Sequence, residues 1–324
     1  MEMTRTGVRI LVTGATGFLG AHLVRALVGG GHDVTATYRS QADRSRLADV
    51  ADRVRWMPMD LGDSASIRRV LQQGQPRIVI HCAAYGMNYA EQSFEEGVRI
   101  NICATQILFQ EAAEAGTQRF IHSGSCFEYG KKSVPVTEDE VLEPISMYGV
   151  TKATATLLVL QLSRTLGMPA AVVRPFGIYG PADRGDKFVP QLIRSCLSKR
   201  PIALSGGAQI RDYTFVRDAV DLYVRLAESE TFPSGQIFTL AGGRPVTLKH
   251  IGEIVARLTR NQQSLQWGAL PYRPDEVMTL TAQTEKAKRL LGWAPNSGLE
   301  EGLEETIRWH RRQEDSQPLD CCQA

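Results

Sequence analysis

The chain has little that would place it in a membrane or on a nucleic acid. Its 324 residues contain no apolar run near the roughly 18 residues that a membrane-spanning helix needs, and a strand pattern begins too close to Met1 for a secretion signal. The 37 Lys and Arg residues nearly balance the 35 Asp and Glu residues, so the formal net charge of +2 gives no reason to expect a nucleic-acid partner. We therefore expect a soluble, cytoplasmic protein that contacts neither membrane nor nucleic acid.

Cysteine and histidine are also scarce, and neither is arranged as in a metal site. The six cysteines do not stand at metal-ligand spacing with any of the six histidines. We expect reduced thiols and no bound metal. His81 and His122 stand at the ends of predicted strands, where packing or a backbone hydrogen bond is the expected role.

The chain does have a regular alternation of strand and helix patterns. Short β-branched runs predict strands near residues 8–13, 33–38, 54–58, 78–81, 119–123, 170–174 and 236–240, with helical periodicity between them. This order predicts a right-handed, doubly wound parallel sheet. From about residue 177 the pattern changes to helices near 186–199, 247–259, 284–291 and 299–311. We assign residues 1–176, with a return segment near 214–246, to the sheet domain, residues 177–213 and 247–312 to a smaller cap, and residues 313–324 to a tail.

A glycine-rich turn joins the first predicted strand to the first helix. Its sequence is Gly14-Ala15-Thr16-Gly17-Phe18-Leu19-Gly20, and apolar residues at helical spacing continue to Leu27. Glycines at such a turn let backbone N–H groups approach a pyrophosphate, and the helix N-terminus adds about half a positive charge. A strand-to-helix turn without a ligand is the alternative, but the surrounding strand and helix favour a dinucleotide.

The second predicted strand lacks the acidic residue that a NAD site usually places about 20 residues beyond the glycines. Tyr38 stands there instead, followed by Arg39 and Ser40, with Arg44 and Arg46 close behind. Because a guanidinium suits a ribose 2′-phosphate, we expect NADP(H) as the cofactor. The alternative is that Arg39 is a solvated loop cation.

Tyr148 and Lys152 form a candidate catalytic pair. They are four residues apart, so on a helix both side chains leave the same face. A free tyrosine has a pKa of about 10, and a nearby ammonium favours the phenolate and brings that pKa towards neutrality. Ser125, after the apolar run that ends at His122, would add a hydroxyl for a substrate oxygen. Together the three residues predict redox chemistry on a carbonyl or an alcohol.

These features resemble the extended short-chain dehydrogenase/reductase family, of the NAD-dependent epimerase/dehydratase type that modifies nucleotide sugars. The resemblance runs from about Arg9 to Trp309. Its further motifs are Asp60-Leu61, His81-Cys82-Ala83-Ala84, Asn101, Arg174-Pro175-Phe176-Gly177-Ile178-Tyr179-Gly180-Pro181, Arg211-Asp212-Tyr213-Thr214-Phe215-Val216 and Leu291-Gly292-Trp293-Ala294-Pro295. It implies an α/β Rossmann sheet with a smaller C-terminal α/β substrate-binding cap, and a homodimer formed through the helices that contain Asn101 and Tyr148.

The resemblance also implies roles for individual residues. Catalysis would fall to Ser125, Tyr148 and Lys152, with Lys152 on the cofactor ribose. The residues expected to bind the cofactor are Gly14, Thr16, Gly17, Phe18, Leu19, Gly20, Tyr38, Arg39, Ser40, Asp60, Leu61, Cys82, Ala83, Ala84, Asn101, Ser123, Pro175, Phe176, Gly177 and Ile178. Those expected to bind the nucleotide-sugar substrate are Tyr85, Gly86, Lys187, Phe188, Arg211 and Arg273, the two arginines on the diphosphate.

Two departures from the family pattern bear on the reaction. The 4,6-dehydratases of the family carry an acid and a base where this chain has Cys126 and Phe127, and phenylalanine cannot transfer a proton. Gly177 stands where many relatives carry Asn. Within the family the chain resembles the CDP-abequose and CDP-paratose synthases, which implies NADPH-dependent reduction of a nucleotide-linked 4-keto(deoxy)hexose. An NAD(P)-dependent nucleotide-sugar epimerase is the alternative, and a redox-sensing binding protein is the third reading.

Overall fold

The architecture is described from a computed structural model covering residues 7–87, 93–183, 185–274 and 276–316. Its strands, in chain order, are β1 (Arg9–Thr13), β2 (Asp33–Tyr38), β3 (Arg55–Pro58), β4 (Ile78–His81), β5 (Arg119–Ser123), β6 (Ala170–Pro175), β7 (Gly177–Tyr179), β8 (Ile202–Ala203), β9 (Ile210–Arg211), β10 (Tyr213–Phe215), β11 (Ile237–Leu240), β12 (Val246–Thr247), β13 (Leu265–Gln266) and β14 (Thr279–Leu280). The seven strands predicted for the main sheet are all present, each within two residues of its predicted bounds.

The helices alternate with these strands. They are α1 (Phe18–Gly29), α2 (Ser64–Gly74), α3 (Phe94–Gly97), α4 (Ala104–Glu114), α5 (Met147–Leu166), α6 (Phe188–Ser198), α7 (Val216–Glu228), α8 (Leu248–Thr259), α9 (Glu285–Leu291) and α10 (Leu299–Ser316). A π-helical turn, Val98–Cys103, joins α3 to α4, and short 3₁₀ segments cover Ser45–Arg53 and Cys126–Glu128. None of the helices in the described ranges combines the length and apolar character required to cross a membrane.

The main sheet has seven parallel strands in the order β11-β6-β5-β4-β1-β2-β3. The chain moves outward from β1 to β3, then returns to β4 on the other side of β1 and moves outward again. In a doubly wound sheet, ligands bind outside the carboxyl ends of the strands at this reversal of direction. The crevice is therefore between the carboxyl ends of β1 and β4, and the expected Rossmann fold is confirmed.

Alternation along β1 shows how helices cover both faces of the sheet. Ile10 and Val12 point into a core shared with α1 and α7, whereas Leu11 points into the core shared with α2, α4 and α5. Side chains of successive strand residues leave opposite faces, so a strand covered on both sides reads as a continuous apolar run. This is why the sheet strands were visible in the sequence.

The carboxy-terminal part of the chain adds two short sheets, β12-β9-β14 and β13-β8, together with α6, α8 and α10. β10 instead pairs in parallel with β7. Trp293 is completely buried and its Nε1 donates a hydrogen bond to the carbonyl of Asp218 on α7, at 3.0 Å. The motif around Trp293 thus anchors the segment between α9 and α10 to the sheet domain. The exact division into two domains remains a prediction.

Candidate active site at the carboxyl edge of the sheet

The glycine turn between β1 and α1 is shaped by close backbone contacts. Gly14 has φ +66°, and a Cβ there would lie 2.8 Å from the backbone nitrogen of Ala83. A Cβ on Gly20 would lie 2.1 Å from the carbonyl oxygen of Gly14. Both positions exclude any side chain, so α1 begins directly against the turn and the turn lies directly against the segment after β4.

The N-terminus of α1 fits a phosphate ligand. Gly17 is the N-cap residue and supplies no side-chain cap, and the first turn contains no acidic residue. The positive end of the helix dipole is therefore not neutralised from within the helix. Thr16, Gly17, Phe18 and Leu19 surround this position, which makes it suitable for the pyrophosphate of a dinucleotide.

An aromatic and cationic cluster lies where β2 and β3 end. The ring centroids of Tyr38 and Trp56 are 5.9 Å apart in an edge-to-face arrangement. The Arg44 guanidinium carbon lies 4.9 Å from the Tyr38 ring centroid and 5.3 Å from that of Trp56. Arg39 and Ser40 are exposed beside them. Arg44 is thus held by two rings, an arrangement that the sequence did not reveal because Trp56 comes from another strand.

Arg46 has a different role from its neighbours. Its Nη1 donates to the carbonyl of Thr16 at 3.2 Å and its Nε donates to the carbonyl of Ala182 at 3.0 Å. The side chain of Arg25 in turn donates to the carbonyl of Arg46. Arg46 therefore ties the glycine turn to the segment that follows β7.

Tyr148 and Lys152 lie one turn apart at the start of α5, as predicted. Ser146 caps this helix by accepting a hydrogen bond from the Gly149 amide at 3.1 Å. Lys152 is 2% exposed, and its Nζ lies 3.4 Å from Nε2 of His122. Burial lowers the pKa of Lys152 to about 8, because a buried ammonium loses its hydration, and the nearby Glu128 carboxylate opposes this shift.

His81 connects the ends of β1 and β4 to α4. Its Nδ1 lies 2.7 Å from the Thr13 hydroxyl, and its Nε2 lies 3.0 Å from the Thr105 hydroxyl. Because Thr105 donates to the carbonyl of Asn101 and so accepts from His81, the proton is on Nε2 and Thr13 donates to Nδ1. Burial lowers the pKa of His81 to about 3. His81 thus contacts two hydroxyl groups and His122 contacts Lys152, and the two buried rings lie 5.4 Å apart. Both rings pack as the sequence predicts, but their polar partners are side chains and not backbone groups.

Ser125 begins the 3₁₀ turn after β5. Its hydroxyl oxygen accepts from the Phe127 amide at 3.2 Å, and its O–H group can act as a donor. Its backbone nitrogen donates to Oε1 of Glu128 at 2.7 Å. The Phe127 ring lies edge-to-face with Tyr148 at 6.1 Å, so the turn packs against the start of α5.

Asn101 stabilises the loop that carries Tyr85 and Gly86. Its Oδ1 accepts from the Tyr85 amide at 2.8 Å, and its Nδ2 donates to the Tyr85 carbonyl and to the Thr151 hydroxyl, each at 2.9 Å. It lies in the π-helical turn, a feature frequent at functional sites. A Cβ on Gly86, which has φ +93°, would lie 3.3 Å from the Tyr148 ring. Asn101 therefore fixes the loop of the expected substrate residues Tyr85 and Gly86 beside Tyr148.

The cysteines near the site are not poised as nucleophiles. Ser123 donates to Sγ of Cys82 at 3.2 Å, and its oxygen lies 2.7 Å from the Tyr223 hydroxyl. Burial raises the pKa of Cys82 to about 11 and that of Cys126 to about 12. Since the thiolate is the reactive form, both side chains are inert near neutral pH. The four cysteines in the described ranges carry free thiols, while Cys321 and Cys322 lie outside them.

The segment expected beside the nicotinamide runs from Pro175 to Ile178. Phe176 is buried, and its amide donates to the carbonyl of Leu240 at 2.9 Å. A Cβ on Gly177 would lie 2.8 Å from the ring of Tyr213. The Tyr213 ring therefore occupies the space that a side chain at position 177 would need.

The other residues expected to bind the substrate lie in the part of the chain predicted to form the cap. The Lys187 ammonium donates to the carbonyl of Met87 at 3.1 Å, and Phe188 follows it as the first residue of α6. Nη2 of Arg211 lies 3.2 Å from Oε1 of Glu276, and Arg273 is exposed in the same part of the chain. Asp60 and Leu61, expected beside the adenine, follow β3, where Asp60 accepts from the Gly62 amide at 2.8 Å.

Comparison with known proteins agrees with this geometry. The model of the NAD dependent epimerase/dehydratase family matches residues 10–241. The chain is 28% identical to the UDP-glucuronate 4-epimerase of Thermodesulfobacterium geofontis, over 93% of this chain and 95% of that protein. It is 32% identical to the dTDP-glucose 4,6-dehydratase of Neisseria gonorrhoeae, again over 93% and 95% of the two chains. The structure of MoeE5 in complex with UDP-glucose and NAD superimposes with a TM-score of 0.83, at 33% identity, covering 94% and 99% of the two chains.

Proposed function

Because the chain belongs to the NAD dependent epimerase/dehydratase family, we propose that it exchanges hydride at C4 of a sugar in a nucleotide-diphosphate sugar. The first candidate reaction is inversion of the C4 hydroxyl, as the name of the T. geofontis relative states for UDP-glucuronate. The observation that carries this proposal is the grouping of Ser125 and Tyr148 around Phe127, with Lys152 one turn further along α5. No acid or base stands at positions 126 and 127 for the elimination of water.

The residues around the crevice fit a nicotinamide dinucleotide. Gly14 and Gly20 leave the glycine turn open to a pyrophosphate, and the uncapped N-terminus of α1 favours its charge. Such a cofactor, when bound, accepts hydride from the sugar carbon or supplies it. MoeE5, at 33% identity, is described with NAD and UDP-glucose together, which supports the same pair of ligands here.

Three side chains would handle the proton and the sugar oxygen. Tyr148 takes the hydroxyl proton as C4 is oxidised and returns a proton to the oxygen as the ketone is reduced. Ser125 donates a hydrogen bond from its hydroxyl to the same oxygen, while its own oxygen accepts from the Phe127 amide. Lys152 holds a positive charge near the phenol and on the cofactor ribose, which favours the tyrosinate.

A net reduction of a 4-keto sugar by NADPH is the second candidate. It is favoured by the cluster at the ends of β2 and β3, where Tyr38 replaces the usual acid and Arg44 lies over the rings of Tyr38 and Trp56. Arg39 and Arg44 together could bind a 2′-phosphate, and a cofactor that is consumed in each turnover is commonly NADPH. The CDP-abequose and CDP-paratose synthase subgroup and the NADP preference both remain predictions.

Product analysis separates the two candidates. Purified protein is incubated with UDP-glucose, UDP-glucuronic acid or a nucleotide-linked 4-keto-6-deoxyhexose, with NAD(H) or NADP(H), and the sugars are separated while the nicotinamide absorbance is followed. An epimerase interconverts two sugar nucleotides without net change in absorbance. A reductase oxidises one NADPH for each sugar reduced. If the protein binds cofactor but turns over none of these substrates, both enzyme candidates are wrong. A redox-sensing binding protein would then be the function that fits.

A further inference from the structure

Glu128 is a fully buried carboxylate in the turn that begins at Ser125. Its Oε1 accepts from the Ser125 amide at 2.7 Å and from the Thr156 hydroxyl at 3.0 Å. Its Oε2 accepts from Nε of Arg174 at 2.8 Å. Neither Glu128 nor Arg174 is more than 1% exposed. Arg174 also donates to the Tyr129 hydroxyl and the Glu138 carbonyl, so both charges are compensated as a buried pair requires.

The contact with Thr156 extends this network to α5. Tyr148, Lys152 and Thr156 follow each other at intervals of four residues, so their side chains share one face of the helix. A single carboxylate oxygen therefore accepts hydrogen bonds from the Ser125 turn and from the face of α5 that carries the other two catalytic residues. The distance between these two segments depends on where that oxygen lies.

Gly124 shows that the turn is built around the carboxylate. A Cβ at this position would lie 2.5 Å from Oε1 of Glu128, 3.1 Å from Cγ of Arg174 and 3.2 Å from the Thr156 hydroxyl. The Glu128 carboxylate thus occupies the space that a side chain at position 124 would take. This accounts for the glycine at position 124.

The charge of Glu128 also acts on Lys152. The two groups attract each other, and the carboxylate raises the pKa of the lysine against the effect of burial. Lys152 faces further groups on neighbouring elements, which are His122 on β5, His81 on β4 and Cys82 after β4. Glu128 faces Arg174 on β6 and Tyr129, whereas the Glu138 carbonyl is a partner of Arg174. Both histidines are neutral at physiological pH, since burial lowers their pKa, so Glu128 is the anion that supports the ammonium.

From these contacts we infer that Glu128 is a positioning residue. It fixes the position of the Ser125 hydroxyl relative to Tyr148, and it keeps Lys152 protonated in the working enzyme. The inference rests on the proposed function insofar as Ser125, Tyr148 and Lys152 act on one substrate oxygen. Glu128 itself touches neither substrate nor cofactor in this scheme, and it acts through Ser125, Thr156 and Lys152.

The test compares Glu128→Gln with a matched control, Glu138→Gln. Glu138 is also buried and accepts from the amide and hydroxyl of Thr239, each at 3.0 Å, but its carboxylate has no contact with the Ser125 turn among the described residues. Each variant is assayed for kcat and KM, and its binding of the reduced cofactor is titrated by fluorescence from pH 6 to pH 10. The titration needs no sugar substrate, so it tests the inference even if the proposed reaction is wrong.

For Glu128→Gln we expect kcat to fall on the order of 10-fold with little change in KM, because geometry and charge around the reacting oxygen are lost. We also expect cofactor affinity to decline at a pH about one unit lower than in the wild type, because Lys152 loses its supporting anion and deprotonates earlier. Glu138→Gln should leave both the kcat and the pH of this decline unchanged. A Glu128→Gln protein with the wild-type pH dependence would overturn the inference.

Thr156→Val provides a milder variant if Glu128→Gln fails to fold around an unpaired Arg174. It removes one hydrogen bond to Glu128 and changes no charge. We expect a several-fold lower kcat and an unchanged pH dependence of cofactor binding. Wild-type kcat in Thr156→Val would contradict the positioning role. Absence of any sugar turnover in the wild type would instead refute the proposed function, while the cofactor titration still decides the role of Glu128.

Discussion

His310 on α10 should make the protein lose stability in mild acid. It is 7% exposed, its Nε2 has no hydrogen-bond partner among the described residues, and burial lowers its pKa to about 4, with a further contribution from Arg194. In the unfolded chain the pKa of His310 is about 6.5. At pH values between about 6.5 and about 4, His310 is therefore protonated in the unfolded chain but not in the native state, so the free energy of unfolding falls as pH falls. At about 1.4 kcal/mol per pH unit, His310 alone should account for a loss of about 2 kcal/mol between pH 7 and pH 5.

The assay is urea denaturation of the wild type and of His310→Leu at pH 7 and at pH 5. The free energy of unfolding of the variant should fall by about 2 kcal/mol less than that of the wild type over this interval. Other groups that titrate here, including Asp212, whose pKa is raised by burial to about 6, are present in both proteins and cancel in the difference. His250, whose side chain is 55% exposed on α8, is the site of the matched control, since His250→Leu makes the same substitution without removing a buried imidazole.

Equal losses in the wild type and His310→Leu would refute the reasoning, because they would mean that His310 is protonated in the native state as readily as in the unfolded chain. The absolute stability of the variant does not enter the comparison. A leucine that packs better or worse than the imidazole changes the unfolding free energy equally at both pH values.

Three further outcomes follow from the site. Tyr148→Phe removes only the proton donor, so kcat should fall on the order of 10² to 10⁴ with cofactor affinity nearly unchanged, and full activity would contradict the assigned role. Arg39→Ala and Arg44→Ala should each weaken NADPH binding by roughly 2 kcal/mol in calorimetry and barely affect NADH, whereas equal losses for both cofactors would show that neither residue binds the 2′-phosphate. Gly177→Asn should destabilise the protein by about 1–3 kcal/mol in denaturation, since its Cβ would lie 2.8 Å from the Tyr213 ring; a stable variant would mean that the ring moves freely.

The sequence was sufficient to predict those parts of the fold that depend on local pattern. The strands of the main sheet are covered on both faces and appear as apolar runs such as Ile10 to Val12, so their positions were predictable. The glycine turn was also predictable from neighbouring residues, because it follows a strand pattern and precedes a helix pattern. The Tyr148/Lys152 pair was predictable because the two residues are spaced by one helical turn.

Other features of the site depend on contacts between distant segments, and no local pattern reveals them. Glu128 lies 46 positions before Arg174, and nothing in either neighbourhood indicates that they form a buried pair. The contact of Lys152 with His122 joins α5 to β5 across a separation of 30 residues. Trp56 contributes to the Arg44 cluster only because β3 pairs with β2. The signal that could have drawn attention to Glu128 is a charged residue within an otherwise apolar or small-residue turn.

The two hydrogen bonds of Arg46 have a consequence for how long a cofactor stays bound. They join the carbonyl of Thr16 in the glycine turn to that of Ala182 beyond β7. Any release route that parts these segments must break at least one of the two bonds and form it again afterwards. An enzyme that keeps one cofactor through many catalytic cycles meets this barrier once, whereas one that exchanges its cofactor after every reduction meets it each time. Where cofactor release parts the two segments, the hydrogen bonds of Arg46 therefore slow the dissociation of the cofactor. Slow dissociation suits a cofactor that remains with the protein during purification.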